Sequence, residues 1–315
     1  MSGTGSKDGV VLVIGARSQI GHFLLPALTE AGYRVIALSR AAQGEDRLGV
    51  QWIRLKDFQD THPPALQAHG TDRPYCAVIH LAPISALPSL LERLAKAGAR
   101  RVIAFSSTSV FTKSASSDED ERLLVSRLLL AESDIARICE RFGMEWTIFR
   151  PTLVYSWGHD RNVSEIGRFI RRFKLFPLLG RGQGLRQPVH AHDLARACVA
   201  ALQSSATYGR AYNLAGGRTL SYRQMVEEVF AHLGKRPRFV QLPAWLIRGA
   251  IRCARLLPRF RKLSPELATR MQQDMCFDSL DAQRDFGFSP RPFALRGGSG
   301  GASSRVTWSP GSCGK

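Results

Sequence analysis

Residues 9–31, GVVLVIGARSQIGHFLLPALTEA, join an aliphatic run, a glycine turn and an amphipathic segment in one stretch. A run so short and so uniformly apolar reads as a strand covered on both faces, because a strand with one face in water would alternate polar and apolar residues. The couplet returns through residue 150. YRVIALS, YCAVIHLA, RRVIAFSS and MEWTIFRP supply further strands, and segments with helical spacing lie at 19–31, 86–98 and 119–142. Parallel strands cannot be joined by a tight turn, and helices of this length provide the crossover. The expected fold class is therefore α/β, a doubly wound parallel sheet.

Beyond Pro151 the rhythm changes. Helical spacing dominates 162–174, 193–203, 221–233, 243–257 and 264–275, with RQPVHA and RAYNLAG as short strand candidates. The expected organisation is a disordered start at 1–8, a nucleotide-binding domain at 9–160 and a smaller, mainly helical lobe at 161–294 intertwined with it. A Gly/Ser-rich disordered tail is expected at 295–315. A chain of 315 residues, 44% of them hydrophobic, can bury a substantial core. The opening MSGTGSKDG carries no apolar core of a signal sequence, so a cytoplasmic location is expected. Six scattered cysteines without C-x-x-C spacing fit buried thiols better than disulfides or zinc.

The turn itself carries chemistry. Gly15 permits a tight bend after the strand, and Gly21 lets the helix pack closely. Between them Arg17, Ser18, Gln19 and Ile20 would offer amides to a pyrophosphate at a helix start. This is a Rossmann-type dinucleotide site. The second strand ends in Ser39 and Arg40, where a site for unphosphorylated adenosine ribose places a carboxylate. A guanidinium can grip a 2′-phosphate through paired charge-assisted hydrogen bonds, so NADP(H) is expected over NAD(H).

With these motifs in order, residues 9–294 resemble the extended short-chain dehydrogenase/reductase superfamily, in its nucleotide-sugar epimerase/dehydratase branch. The motifs are IGARSQIG, KDF, IHLAP, FSSTSVF, FRPTLVY, GLRQPVHAHDLARACVAAL, AYNLAGG and DFGFSP. The resemblance implies adenine contacts at Asp57 and Phe58, cofactor contacts at Leu81, Ala82 and Pro83, and Pro151 on the strand leading to the nicotinamide. It implies a catalytic hydroxyl at Ser107, with Thr108 as neighbouring candidate, and substrate contacts at Arg186 and His190. One element is missing. The family's Tyr-x-x-x-Lys, followed by Glu four residues on, falls on Leu124, Leu128 and Glu132, with Arg127 as the nearest cation. No tyrosine occurs between Tyr75 and Tyr155. A proton donor would have to come from Tyr155, His159, Asp160 or His190. His190 and His192 lack an evident third ligand, so no metal is expected, and Asp193 reads as a helix N-cap.

Charge adds a second theme. Residues 1–160 hold 18 Lys or Arg against 17 Asp or Glu, whereas 161–315 hold 26 against 9, so the second half carries +17 of the net +18. The asymmetry points to an anionic partner on that half, a diphosphate substrate, an anionic membrane surface or nucleic acid; the resemblance implies a nucleotide-diphosphate sugar or similar anionic small molecule at Arg186, with Arg168, Arg171, Arg172, Lys174 and Arg181 enlarging the field. Leu153, where the family has asparagine, removes one sugar contact. Residues 243–262 alternate apolar side chains with six cations and could lie on an anionic membrane. Three readings stand: an NADP-dependent epimerase, dehydratase or reductase of nucleotide-linked sugars; a redox-inactive dinucleotide-binding protein, similar to NmrA-like regulators or the accessory subunit of respiratory complex I; and a membrane- or RNA-associated derivative. Nucleic acid is the least expected partner, and a homodimer is allowed for.

Overall fold

The computed structural model describes residues 9–40, 49–56, 75–114, 116–242, 249 and 271–295. Residues 1–8 and 296–315 of the expected disordered ends and most of the basic segment 243–262 lie outside these residues, as does 264–270 of the last helical stretch; Leu295, taken as the first residue of the tail, is instead buried in the second lobe.

The first half alternates as its sequence requires. The elements are β1 (Val10–Ile14), α1 (Gly21–Glu30), β2 (Arg34–Ser39), β3 (Val50–Arg54), β4 (Tyr75–His80), α2 (Pro88–Lys96), β5 (Arg101–Phe105), α3 (Glu119–Arg141) and β6 (Glu145–Pro151). There follow β7 (Val154–Tyr155), α4 (Val163–Phe173), β8 (Phe176–Leu179), β9 (Leu185–Arg186), β10 (Val189–His190), α5 (Ala191–Leu202), β11 (Arg210–Leu214), β12 (Leu220–Ser221), α6 (Tyr222–His232), β13 (Phe239–Leu242) and α7 (Leu280–Phe286).

Seven strands form one sheet in the order β11-β6-β5-β4-β1-β2-β3, and every pairing is parallel. The chain runs outward from β1 in both directions. Chain crossovers therefore leave a crevice at the carboxyl ends of β1 and β4, where the order reverses. Val11 and Val13 face one side, against Leu24 and Leu28 of α1 and Leu194 and Cys198 of α5. Val10, Leu12 and Ile14 face the other, against Leu91 and Leu94 of α2 and Ile135 and Cys139 of α3. Each such side chain, removed from water, contributes about 1.5–3 kcal/mol, which is why these strands carry no polar face.

Two strands were placed by partners rather than by their own pattern. VQWIR forms β3, a half-buried edge strand that the sequence reading passed over. RAYNLAG, assigned from sequence to the second lobe, supplies β11, which pairs with β6 in register Arg210↔Thr147 to Leu214↔Pro151. Arg101 explains part of that docking. Its guanidinium, 5% exposed at the start of β5, donates to Thr147 Oγ1 (2.5 Å) on β6, Thr207 Oγ1 (2.8 Å) and the Ala201 carbonyl (3.4 Å). It also lies over the Tyr208 ring at 4.8 Å. Burial pulls its pKa down to about 10, yet the charge stays on, held by neutral acceptors rather than by a carboxylate.

A separate core fills the second lobe. Ile166 and Ile170 of α4 pack with Phe176 and Leu178 of β8, Met225 and Phe230 of α6, and Phe293. The β8 and β13 strands pair beside it.

Candidate active site

The phosphate turn is built as its glycines require. Gly15 has φ +79°, a left-handed conformation, and a Cβ there would stand 2.8 Å from the Ala82 amide nitrogen. The turn is pinned below by the Leu38 carbonyl, which accepts from the Gly15 and Ala16 amides at 3.1 and 3.2 Å. Ser18 opens the helix: its carbonyl accepts from His22 N (3.1 Å) and its Oγ from Gly21 N (3.1 Å). The Ser18 amide, expected to face the pyrophosphate, donates instead to the Gly15 carbonyl at 2.9 Å and closes the turn, while the amides of Arg17, Gln19 and Ile20 have no acceptor among the described residues. Free amides at a positive helix end, over a turn no Cβ would permit, fit a dinucleotide pyrophosphate.

Around the turn, Ser39 is buried at the end of β2 and Arg40 is exposed beside it. Leu81 follows β4 directly, its amide donating to the Ile14 carbonyl at 2.8 Å, so Leu81, Ala82 and Pro83 line the switch point. Asp57 and Phe58 lie outside the described residues.

Next to this crevice stands the hydroxyl strand. Ser107 Oγ donates to Ser109 Oγ (3.0 Å) and accepts from the Ser109 amide (3.1 Å). Thr108 is turned inward, with both its amide and its Oγ1 on the Pro151 carbonyl at 3.2 Å. Ser107 is thus the better placed of the two hydroxyls.

Leu124, Leu128 and Glu132 stand one turn apart on α3. Glu132 is buried and receives a forked pair from Arg150, whose Nε lies 3.1 Å from both carboxylate oxygens and whose Nη2 makes a further contact. Arg150 sits at the carboxyl end of β6 and lies over the Phe111 ring at 5.3 Å. This pair ties α3 to β6 at Glu132. Leu128 packs on the core and Leu124 is 41% exposed. Arg150 escaped the sequence reading, although its place directly before Pro151 in the FRPTLVY motif was a usable signal.

A family model for NAD-dependent epimerases and dehydratases matches residues 11–89 and 88–215, well over half of the chain. The chain belongs to the NAD-dependent epimerase/dehydratase family. Among curated proteins it is 29% identical over 152 residues to the protein y4nG of Sinorhizobium fredii. That match covers 48% of this chain and 38% of that one. It is 30% identical over 119 residues to the mitochondrial NADH dehydrogenase [ubiquinone] 1 alpha subcomplex subunit 9 of Arabidopsis thaliana, covering 38% and 29%. The chain thus matches well under two thirds of the length of either relative. Among solved structures, the UDP-glucose 4-epimerase of Thermotoga maritima, determined with UDP-glucose, superposes with a TM-score of 0.63. It is 18% identical, with 89% of this chain and 93% of that one covered, a likeness of fold.

Within this family member, the four substitute proton donors named from the sequence stand in different surroundings. Tyr155 is 1% exposed, packed edge-on between His190 (4.9 Å) and Phe293 (4.8 Å), with burial pushing its pKa up to about 12. It belongs to the core of the second lobe. Asp160 is consumed by capping, accepting from the amides of Asn162 (2.8 Å) and Ser164 (3.0 Å) and from Ser164 Oγ (2.6 Å). The exposed His159 ring stacks on His22 at 5.4 Å.

His190, not Asp193, caps α5: its Nδ1 accepts from the His192 amide at 3.1 Å. Asp193 instead receives Arg291, through Nε at 2.9 and 3.2 Å and the backbone amide at 3.0 Å, tying the carboxyl-terminal segment to α5. Burial first, and then the Arg291 charge, push the His190 pKa down to about 4. The native state therefore binds fewer protons here than the unfolded chain, whose histidine titrates near 6.5. Stability should be full above about pH 6.5 and fall as pH drops toward about 4. Unfolding midpoints measured across that range should decline on the acid side, and His190→Asn, which keeps a capping oxygen, should flatten the decline. An unchanged slope in the variant would assign the acid sensitivity elsewhere.

Arg186 is 5% exposed in the second lobe, where its Nη1 donates to the carbonyls of Leu185 (2.7 Å) and Gln273 (2.8 Å). It lies 5.6 Å over the Tyr222 ring, and burial lowers its pKa. Among the described residues no group of three or more His, Cys, Asp or Glu could hold a metal, and no helix is long and apolar enough to cross a membrane.

Proposed function

We propose that this chain holds NADP(H) at the phosphate turn and does not use it for proton-coupled hydride transfer. It is a redox-silent, cofactor-retaining member of the epimerase/dehydratase family. The observation that carries this reading is the pairing of an intact cradle with Leu124 and Leu128 in the ladder above Glu132. A nicotinamide supplies a hydride donor or acceptor. The substrate proton must travel with the hydride, and an aliphatic side chain can neither give nor take it. Gly15, Gly21 and the amides of Arg17, Gln19 and Ile20 would hold the pyrophosphate. Arg40, with Arg17 near it in the turn, would meet the 2′-phosphate.

A second reading is supported by Ser107 and Arg186. The first is a hydroxyl placed to hydrogen-bond an oxygen on which charge develops; the second is a buried cation suited to a diphosphate. Together they favour a nucleotide-linked sugar, or a similar anionic small molecule, as the ligand of the second lobe, and turnover on such a ligand is the competing outcome.

A thermal-shift series separates the readings. At about 100 times its dissociation constant, NADPH should stabilise the protein by about 2.7 kcal/mol, raising the midpoint by about 5 °C, with NADH raising it less. Arg40→Asp should reverse that order by repelling the 2′-phosphate. No rise with either coenzyme would sink both readings, whereas nicotinamide oxidation on addition of a nucleotide sugar would establish the second.

A further inference from the structure

One end of the second lobe carries a cluster of cations that the cofactor crevice does not use. Helix α4 buries Val163, Ile166, Gly167 and Ile170 and turns Arg168, Arg171 and Arg172 to solvent. It ends in Phe173, 55% exposed, and Lys174, which takes a left-handed conformation (φ 60°) to close the helix on the Ile170 carbonyl. That position ordinarily favours glycine or asparagine, so a lysine there keeps a charge at a conformational cost.

The turn after α6 comes to the same place. Lys235 Nζ reaches the Ile170 carbonyl (3.5 Å), the Arg238 carbonyl accepts from the Phe176 amide (2.8 Å), and His232 packs on Trp157, beneath the Arg171 guanidinium. Arg236 and Arg238 are exposed, as is Val240 on β13. The neighbouring carboxylates are already taken: Glu165 by Arg168, Glu227 by Arg223 and Glu228 by Arg218. Arg171, Arg172, Lys174, Lys235, Arg236 and Arg238 have no carboxylate partner among the described residues. Six uncompensated charges gathered at one end repel one another and attract an anionic surface.

We infer that this end of the second lobe, centred on Phe173, docks on an anionic lipid bilayer. Exposed Phe173 and Val240 among the cations suit a headgroup layer, where a charge meets lipid phosphate and an apolar side chain enters the acyl boundary. The sequence continues the theme. Residues 229–265 contain nine Lys or Arg and no Asp or Glu, and Trp245, Leu246, Ile251 and Leu256 are interspersed among them. Phe173 and Trp245 have rings that a base could stack on, but Val240, Leu246, Ile251 and Leu256 have none, and an apolar set made mostly of aliphatic side chains among cations favours lipid over RNA. The inference is independent of whether the crevice binds or turns over a coenzyme.

The test is co-sedimentation of the full chain with vesicles of phosphatidylcholine alone and of phosphatidylcholine with phosphatidylserine, at low and high salt. Binding is expected only to the anionic vesicles and should fade as salt rises. Arg171→Glu with Arg172→Glu should weaken it by at least about tenfold, from the contribution of each cation near a charged surface. Phe173→Ala should weaken it at every salt concentration. Circular dichroism and the unfolding midpoint verify that each variant is folded. Equal binding to both vesicle types, an undiminished double variant, or tighter retention on single-stranded RNA at the same salt would each overturn the proposal.

Discussion

Replacing Leu124 by Tyr together with Leu128 by Lys should raise the single-turnover rate of nicotinamide oxidation or reduction with a nucleotide-linked sugar by about 10²–10⁴-fold. Part of the scaffold for the pair is already present. Glu132 and Arg150 tie α3 to β6 one turn beyond Leu128, Leu124 has room at 41% exposed, and Ser107 would supply the hydroxyl. A phenol at 124 would exchange the proton, and an ammonium one turn below would favour its ionised form. Leu124→Phe with Leu128→Met is the control for bulk and should give no gain. If the Tyr/Lys variant still binds NADPH yet stays inert, the missing relay is not what silences the site. Turnover by the unaltered chain would instead show that an acid outside this ladder serves.

Gly21→Ala should remove cofactor binding and much of the stability together. A Cβ at Gly21 would stand 2.0 Å from the Ala16 carbonyl oxygen and 2.6 Å from its carbon. Both are backbone atoms of the turn, so the clash cannot be relieved by turning a side chain aside. The turn must open, at a cost of about 3 kcal/mol, and the midpoint should fall by about 6–12 °C. The NADPH-induced rise should vanish with it, because the amides of Arg17, Gln19 and Ile20 would no longer converge. Gly143→Ala is the comparison. Gly143 also has a left-handed backbone (φ 63°), but its added Cβ would meet nothing within 4 Å. That variant should lose only about 1–2 kcal/mol and keep its response to NADPH.

The sequence made some parts of this structure plain and hid others for identifiable reasons. The first, second, fourth, fifth and sixth strands could be read because burial of most of their length leaves short, mainly apolar runs. VQWIR could not, because an edge strand is half-wetted and its pattern is mixed. RAYNLAG was legible as a strand, but its place was not, since its partner lies some sixty residues earlier and pairing over that distance leaves no local mark. At the site, Gly15 and Gly21 announced themselves because only glycine allows those approaches. Asp193 looked like the better helix cap than His190 because propensity favours aspartate. The arginine at 291, beyond any local window, claims that carboxylate and leaves the cap to imidazole nitrogen. The buried fork between Glu132 and Arg150 joins residues 18 apart on different elements, and only their packing shows that it ties α3 to β6.

The return of the chain as β11 has a consequence for how such a protein can be divided. After β6 the polypeptide leaves the sheet, builds α4 and β8, and then comes back to supply both α5, which covers α1, and the outermost strand beside β6. The coenzyme half is therefore not a contiguous module that a shuffled gene could lift out whole. Severing the backbone near residue 160 would strip the flank of β6, uncovering its row of unpaired amides and carbonyls, and would expose the apolar side of α1. Recombination during descent could exchange loops at the rim of such an architecture, but the two lobes must be inherited as one.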